Sequence, residues 1–409
     1  MRSTRDEWRS GWPIVLAAAW GLGATALYFY TLGMVIPSLT AAFGWSQAQI
    51  ASGPMIISIV YFCLSSRIGG LVDRLGVRRV LLPGYCAFCI ALAMLGLAGP
   101  SIWSWYGLWF LLALAFSTTA PSLWSTAVVR HFDRARALAL SIALCSTGVM
   151  AAITPIIQAW AIETGGWRMA YGVLGTGMLV IGFPVLYFCL PRAHGVAGAT
   201  SSPAVGAAAD LPGALFRDAL RSPRFWIIAA LALFTGAAIG ALMVHLPSIG
   251  LAEGLTTAQV AAITGLIGIM SIGGRLSIGL LMDRFPVRIV GAVTFILPVG
   301  ACLILAWYLT PATMAFAAIL IGIINGGDYN VLALLTSRYL GMRNYAAIYS
   351  QIAAAFNIGI GTGPAIVGAF HDRIHSYPPL LVGLAGIFVG AAILAMLLGR
   401  EPDFAPARD

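Results

Sequence analysis

Apolar runs about 20 residues long follow one another from near the start of this chain to its end, and that repetition constrains the fold more than any single motif. A helix of about 20 apolar residues crosses the ~30 Å hydrocarbon core of a bilayer. The composition points the same way. Hydrophobic residues make up 60% of the 409 positions and charged residues only 9%, whereas a soluble domain carries roughly 25% charged residues. No water-soluble fold of this size can hide so much apolar surface, so the solvent is lipid. Backbone polar groups must then be satisfied within each segment, which selects helices.

Twelve such segments are predicted, at about residues 13–37, 48–67, 80–99, 105–127, 137–160, 169–191, 225–247, 258–281, 289–309, 312–336, 345–369 and 378–398. The first is too long for a signal-peptide core and lacks a small-residue cleavage site followed by a polar domain, so it is expected to remain as a span. All 23 basic residues are Arg. With the N-terminus in the cytoplasm, Arg168 and Arg373 lie on the far side, Arg275 lies inside a segment, and the remaining Arg residues lie at or near the cytoplasmic side. Positive charge resists translocation, so both termini are expected in the cytoplasm of a multi-pass protein of the plasma (inner) membrane. The same asymmetry accounts for a pI near 9.5, and no nucleic-acid partner is needed to explain it.

The cysteines, Cys63, Cys86, Cys89, Cys145, Cys189 and Cys302, all fall in apolar segments. Packing is the expected role even for the Cys86/Cys89 pair, and neither a metal site nor a cofactor is predicted. The longest polar stretch, 192–224, is rich in Ala, Gly, Ser and Pro and reads as a cytoplasmic linker with a short surface helix around Leu215 to Leu220. It separates a six-helix bundle at 1–191 from a second at 225–409.

An internal repeat supports that division. A shift of 210 residues lays Gly69-Gly70-Leu71-Val72-Asp73-Arg74-Leu75-Gly76-Val77-Arg78-Arg79-Val80 on Gly279-Leu280-Leu281-Met282-Asp283-Arg284-Phe285-Pro286-Val287-Arg288-Ile289-Val290, identical at about seven of twelve positions. The same shift pairs Gly44-Trp45-Ser46-Gln47-Ala48-Gln49 with Gly254-Leu255-Thr256-Thr257-Ala258-Gln259, where Ser46 and Thr256 are predicted N-caps. Two six-helix halves in the same orientation follow, the parallel kind of repeat.

These motifs resemble the major facilitator superfamily across nearly the whole chain. The stretch from Gly69 to Arg79 is similar to that family's G-x-x-x-D-R-x-G-x-R-R signature between helices 2 and 3, with a degenerate copy between helices 8 and 9. The resemblance implies a twelve-helix, two-bundle fold and a secondary carrier working by alternating access. Gly69, Asp73, Arg74 and Arg78, with Asp283, Arg284 and Arg288 in the copy, then form charge clusters that lock and release the cytoplasmic side, the alternative being ordinary solvated turns. More narrowly, Gly274-Arg275-Leu276-Ser277-Ile278-Gly279, Gly326-Gly327-Asp328-Tyr329-Asn330, Gly44-Trp45-Ser46 and Gly166-Trp167-Arg168 resemble the monocarboxylate transporter and oxalate/formate antiporter branch. There the Arg matching Arg275 binds the substrate carboxylate.

The residue types agree with that role. An Arg in the hydrocarbon costs about 2.5–3.5 kcal/mol on insertion scales, so one that persists is expected to face a cavity or a partner. Guanidinium recognises a carboxylate through two parallel hydrogen bonds. The competing reading is that Arg275 snorkels to the surface from a depth of ~9 Å. Asp328 is a buried acid that either carries a coupled proton or partners an Arg of the helix 8 to 9 region; His245 is a second proton candidate or an interfacial residue. Tyr28, Tyr30, Trp124, Asn325, Asn330 and Asn357 are candidates to line the pocket. Asn357 stands where oxalate-type relatives carry a second cation, which favours a monocarboxylate over a dicarboxylate. Ser271 and the absence of Lys depart from the animal carriers, so their proton route does not transfer.

The expected function is proton-coupled symport of a small monocarboxylate, with a small organic anion and protons as ligands and no obligate protein partner. The alternative is a proton-coupled exporter of drugs or other organic solutes in which Asp328 binds a cation. An enzyme is not expected, because no nucleophile with a base, metal cluster or phosphate-binding loop can be assembled.

Overall fold

The structure is a computed structural model, and it describes residues 4–129, 131–132, 135–190 and 213–402, without the side chains of Thr4, Asp6, Ser66, Asp73 and Ala137. The predicted gating side chain of Asp73, residue 191 and residues 192–212 of the predicted linker therefore lie outside the described residues. In chain order the helices are α1 (Thr4–Phe43), α2 (Gln47–Ala51), α3 (Gly53–Leu75), α4 (Val77–Met94), α5 (Ile102–Thr118), α6 (Pro121–Val129), α7 (Arg136–Cys189), α8 (Phe216–Arg221), α9 (Pro223–Ala252), α10 (Thr257–Met282), α11 (Val287–Trp307), α12 (Pro311–Leu340), α13 (Tyr345–Ile374) and α14 (Pro378–Leu397).

Eleven stretches are long and apolar enough to cross a membrane. One of them, Leu138–Cys189, holds two crossings, because α7 is interrupted at Gly166 with φ 75° and ψ 180°. That backbone is open to glycine and costly for any other residue. Counted so, the described residues hold the twelve spans predicted. The fourth is divided at Ala120, where α5 stops and Pro121 opens α6, as suits a proline in the first turn.

The repeat is visible in the caps. Ser46 Oγ accepts from Gln49 N at 3.2 Å while Gln49 Oε1 accepts from Ser46 N at 3.0 Å. Thr256 and Gln259 make the same reciprocal pair at 3.3 and 3.0 Å. Each box satisfies two amide donors that a helix start otherwise leaves open.

Two compact units divide the chain. One comprises Met1–Val196 with Met243–Ile269, the other Ala197–Leu242 with Met270–Asp409. In the first unit, Trp105, Trp109 and Trp124 are fully buried among α1, α3 and α5 to α7. Lipid tails are as apolar as leucine, so association of spans depends on close packing and buried hydrogen bonds. Tyr85 shows the second of these, donating to Met178 O at 2.6 Å and accepting from Trp20 Nε1 at 2.8 Å. Gln158 Nε2 donates to Thr31 O at 2.5 Å, joining α7 to α1. Ser248 Oγ donates to Gly33 O at 3.0 Å, which ties the end of α9 to α1 inside this unit. At the opposite end of α1, buried Glu7 accepts from Ala135 N at 3.1 Å and Trp8 packs on Phe132 with ring centroids 5.3 Å apart.

In the second unit, α11 packs on α12 and α14, and α13 contacts α12, α14 and α8. The α10–α12 contact is backbone to backbone: a Cβ on Gly326 would overlap Ser271 O, and one on Gly274 would overlap Ile323 O. Small residues at both positions let the helices touch. Their register fixes what the next turns of α10 and α12 present to each other.

Candidate functional site

The consequence of that register is the juxtaposition of Arg275 on α10 with Asp328 on α12. Gly326 sits against Ser271 O and Arg275 N, so the residues after Gly326 face the turn that carries Arg275. Asp328 is only 1% exposed, and Arg275, half-buried, is close enough for the two charges to interact. The Asp328 carboxylate accepts from Tyr329 N at 2.7 Å, and Asn330 Nδ2 donates to Arg275 O at 3.3 Å. A guanidinium and a carboxylate thus share one buried corner of the second unit. Taking either charge out of water is costly unless the other compensates it.

The wall of this corner comes from α13. Tyr349 lies within electrostatic range of Asp328 and stacks on Tyr345, with centroids 5.5 Å apart and planes 5° from parallel. One to two turns on, Phe356 is fully buried beneath Tyr329 at 4.7 Å between rings. Asn357 Nδ2 donates to Ala353 O at 2.7 Å, and its Oδ1 accepts from Tyr329 OH at 3.4 Å. Tyr329 nonetheless remains 40% exposed. A phenol and an amide are thus held against an aromatic backing. Asn325 is half-buried on α12 in the same unit. In the sequence, Tyr329 stands out only within a motif, and Tyr345 and Tyr349 are not singled out. For the α13 pair the available signal is spacing, since Tyr345, Tyr349 and Phe356 recur on one helical face.

The remaining predicted residues lie in the first unit. Tyr28 makes edge contacts with Phe116 at 5.4 Å and Trp109 at 6.1 Å, and Tyr30 contacts Phe29 at 6.2 Å. Trp124 is 0% exposed, packs against Gly21, and donates Nε1 to Thr119 O at 2.8 Å. Its ring is enclosed in the helix packing and orients the turn between α5 and α6. His245 is buried on the part of α9 that belongs to this unit.

Among the predicted gating residues, Gly69 lies on α3 with open space at its Cα, and Arg74 is exposed in the last turn of that helix. Arg78 reaches across to the end of α7: it donates to Leu190 O and, at 2.7 Å, to Tyr187 O, and its guanidinium lies 5.0 Å over the Tyr187 ring. A cation there meets the carbonyls that a helix C-terminus leaves open. In the second unit Asp283 and Arg284 are exposed, and Arg288 is half-buried near Tyr339.

The family model described as "Major Facilitator Superfamily" matches residues 18–364. The chain belongs to the major facilitator superfamily. It is 26% identical over 401 residues to a protein named "Gallate transporter" from Pseudomonas putida, covering 90% of this chain and 86% of that one. It is 25% identical over 338 residues to the "Uncharacterized MFS-type transporter YhjX" of Escherichia coli strain K12, covering 81% of each. Among solved structures, the nucleoside transporter NupG matches with a TM-score of 0.75 at 12% identity, covering 95% of this chain and 100% of that one. A bacterial homologue of the human lysosomal transporter Spinster, inward-facing and unoccupied, matches with a TM-score of 0.72 at 15% identity, covering 94% of each chain. This member of the superfamily is thus an all-helical, multi-pass membrane transporter of small molecules, and not an enzyme.

Proposed function

We propose that the protein is a secondary carrier that moves a monocarboxylate together with a proton by alternating access. The observation that carries this reading is the Arg275–Asp328 pair, a fixed cation and a fixed acid close enough to interact inside bilayer-crossing helices. Arg275 binds the carboxylate through paired charge-assisted hydrogen bonds. Asp328 takes up and releases the coupled proton, with His245 in the first unit as the second group able to do so. An arriving carboxylate competes with Asp328 for the guanidinium, so substrate binding and protonation of Asp328 favour each other. The gallate transporter relative supports an organic anion as cargo, since gallate itself carries one carboxylate. Tyr28 and Tyr30 of the first unit, and Asn325, Asn330 and Asn357 of the second, contribute to holding the organic body.

The carrier works as two six-helix bundles, 1–191 and 225–409, joined by the linker 192–224, in the inner membrane with both termini cytoplasmic. Gly69, Asp73, Arg74 and Arg78, and the second-half copy Asp283, Arg284 and Arg288, gate the cytoplasmic side.

The test is uptake of radiolabelled monocarboxylates into proteoliposomes under an inward proton gradient. Accumulation is expected to collapse with a protonophore. Loss of a charge-assisted bond to substrate is worth about 1.5–3 kcal/mol, so Arg275→Ala is expected to weaken apparent affinity by about tenfold to a hundredfold. Uptake of carboxylates that survives Arg275→Ala unchanged overturns the reading. Transport of cationic solutes that instead requires Asp328 installs the exporter reading in its place.

A further inference from the structure

A second feature of the molecule lies away from the anion site, at the end of the second unit where the linker meets α9. The short helix α8 is held in a defined position there. Gly213 pairs with Gly341 in an antiparallel bridge, Ala214 N donates to Leu340 O at 2.9 Å, and Ala219 is buried as α8 packs on α13. Trp226, in the first turn of α9, donates Nε1 to Leu220 O at 2.9 Å, yet 61% of its surface is exposed, as is 45% of Leu215. With its N–H satisfied by α8, the indole presents an apolar face outward.

The helix that accepts the indole N–H also carries two exposed arginines. Arg217 and Arg221 are separated by four residues and share one side of α8. Arg224 follows in the first turn of α9 and, with Arg288 and Glu401, surrounds Tyr339. Among the described residues, Asp218 on α8 and Glu401 near Tyr339 are acidic neighbours of these arginines. The stretch apolar enough to cross a membrane begins at Pro223, so Trp226 is expected at the edge of the hydrocarbon and Arg217 and Arg221 just outside it. Indole rings favour that boundary, and guanidinium binds phosphate oxygens through two hydrogen bonds at once.

We propose that Arg217, Arg221 and Trp226 form a seat for the headgroup of an anionic phospholipid at the start of α9. A lipid is the occupant that uses every part of the arrangement. Its phosphate meets the arginines and its glycerol and upper acyl chain cover Trp226 and Leu215. A free phosphate would leave the exposed apolar surface uncovered. Because α8 is tied to α9 through Trp226 and to the α12–α13 connection through Gly213, the bound lipid braces the point where the linker enters the second bundle.

The experiment is native mass spectrometry of the full-length protein in mild detergent, titrated with phosphatidylglycerol or phosphatidylcholine. Wild type is compared with Arg217→Gln/Arg221→Gln and with Arg373→Gln, at the last turn of α13. A basic residue near an anionic lipid surface contributes ~1 kcal/mol, or about fivefold. The double variant is therefore expected to lose about 25-fold in affinity for phosphatidylglycerol, with phosphatidylcholine retention and the Arg373→Gln protein unchanged. Three results overturn the proposal: phosphatidylglycerol retention that survives the double substitution, an equal loss for both lipids, or displacement of phosphatidylglycerol by millimolar inorganic phosphate.

Discussion

Arg275→Ala is expected to destabilise the protein even with no substrate present, and Asp328→Asn added to it is expected to restore part of the loss. Asp328 is 1% exposed and has Arg275 within electrostatic range as the compensating charge. Removing the compensating charge beside a buried carboxylate costs at most about 3–5 kcal/mol, and that much only at a pH where the carboxylate stays ionised. Arg275 is half-buried, so water screens part of the interaction, and about 1–3 kcal/mol is the expected cost of Arg275→Ala. Replacing Asp328 with Asn removes the stranded charge, while its amide oxygen still accepts the Tyr329 N–H that the carboxylate accepts at 2.7 Å. Asp328→Asn alone leaves a guanidinium that reaches water, and costs less than about 1 kcal/mol. The four proteins are compared by unfolding in mixed micelles with a rising fraction of denaturing detergent, followed by tryptophan fluorescence. A coupling of about 1 kcal/mol or more, with the double variant more stable than Arg275→Ala, is expected. Losses that add within about 0.5 kcal/mol would show that the two charges do not compensate each other.

Other substitutions test the packing that builds the site. Gly326→Ala places a methyl group against Ser271 O at the α10–α12 contact; overpacking of this kind costs about 1–3 kcal/mol, read as an earlier midpoint in the same unfolding assay. Gly166→Ala forces an alanine to φ 75° and ψ 180°, with an expected loss of about 1–3 kcal/mol, whereas Gly172→Ala, with open space around it, serves as the neutral comparison. Arg78→Ala removes the donors to Leu190 O and Tyr187 O. It is expected to cost about 1–3 kcal/mol and to speed hydrogen exchange at the last turn of α7 while leaving α12 unaffected.

The spans, the repeat and the caps are legible in the sequence because each has a local cause. Twenty apolar residues demand a crossing wherever they occur, and Ser46 with Gln49 specifies a capping box from four positions alone. The Arg275 anomaly is legible for the same reason, since a charge stands out in an apolar run. The surroundings of that charge are harder to read. In lipid, the face of a helix turned to a neighbour and the face turned to hydrocarbon use the same residue types, so sequence periodicity gives little sign that Tyr349 approaches Asp328 or that Trp124 is enclosed. The Trp124 ring was attractive as pocket lining because aromatic side chains serve both purposes. Its hydrogen bond to Thr119 O, five residues back, depends on the break in the helix at Ala120 and Pro121.

The turn at Gly166 has a consequence for how the chain is made. The fifth and sixth spans are joined with almost no connecting loop, Gly165 and Trp167 being helical on either side of the single interrupted residue. Arg168, just past the turn, donates to Ala98 O at 3.1 Å, while the far end of the sixth span meets Arg78, so this span runs antiparallel to α4. Two crossings with so short a hinge cannot be threaded one at a time with a soluble loop waiting between them. Insertion as a single helical hairpin is the route this short connection favours, and a tag or protease site placed at residue 166 would test whether that hairpin tolerates being opened.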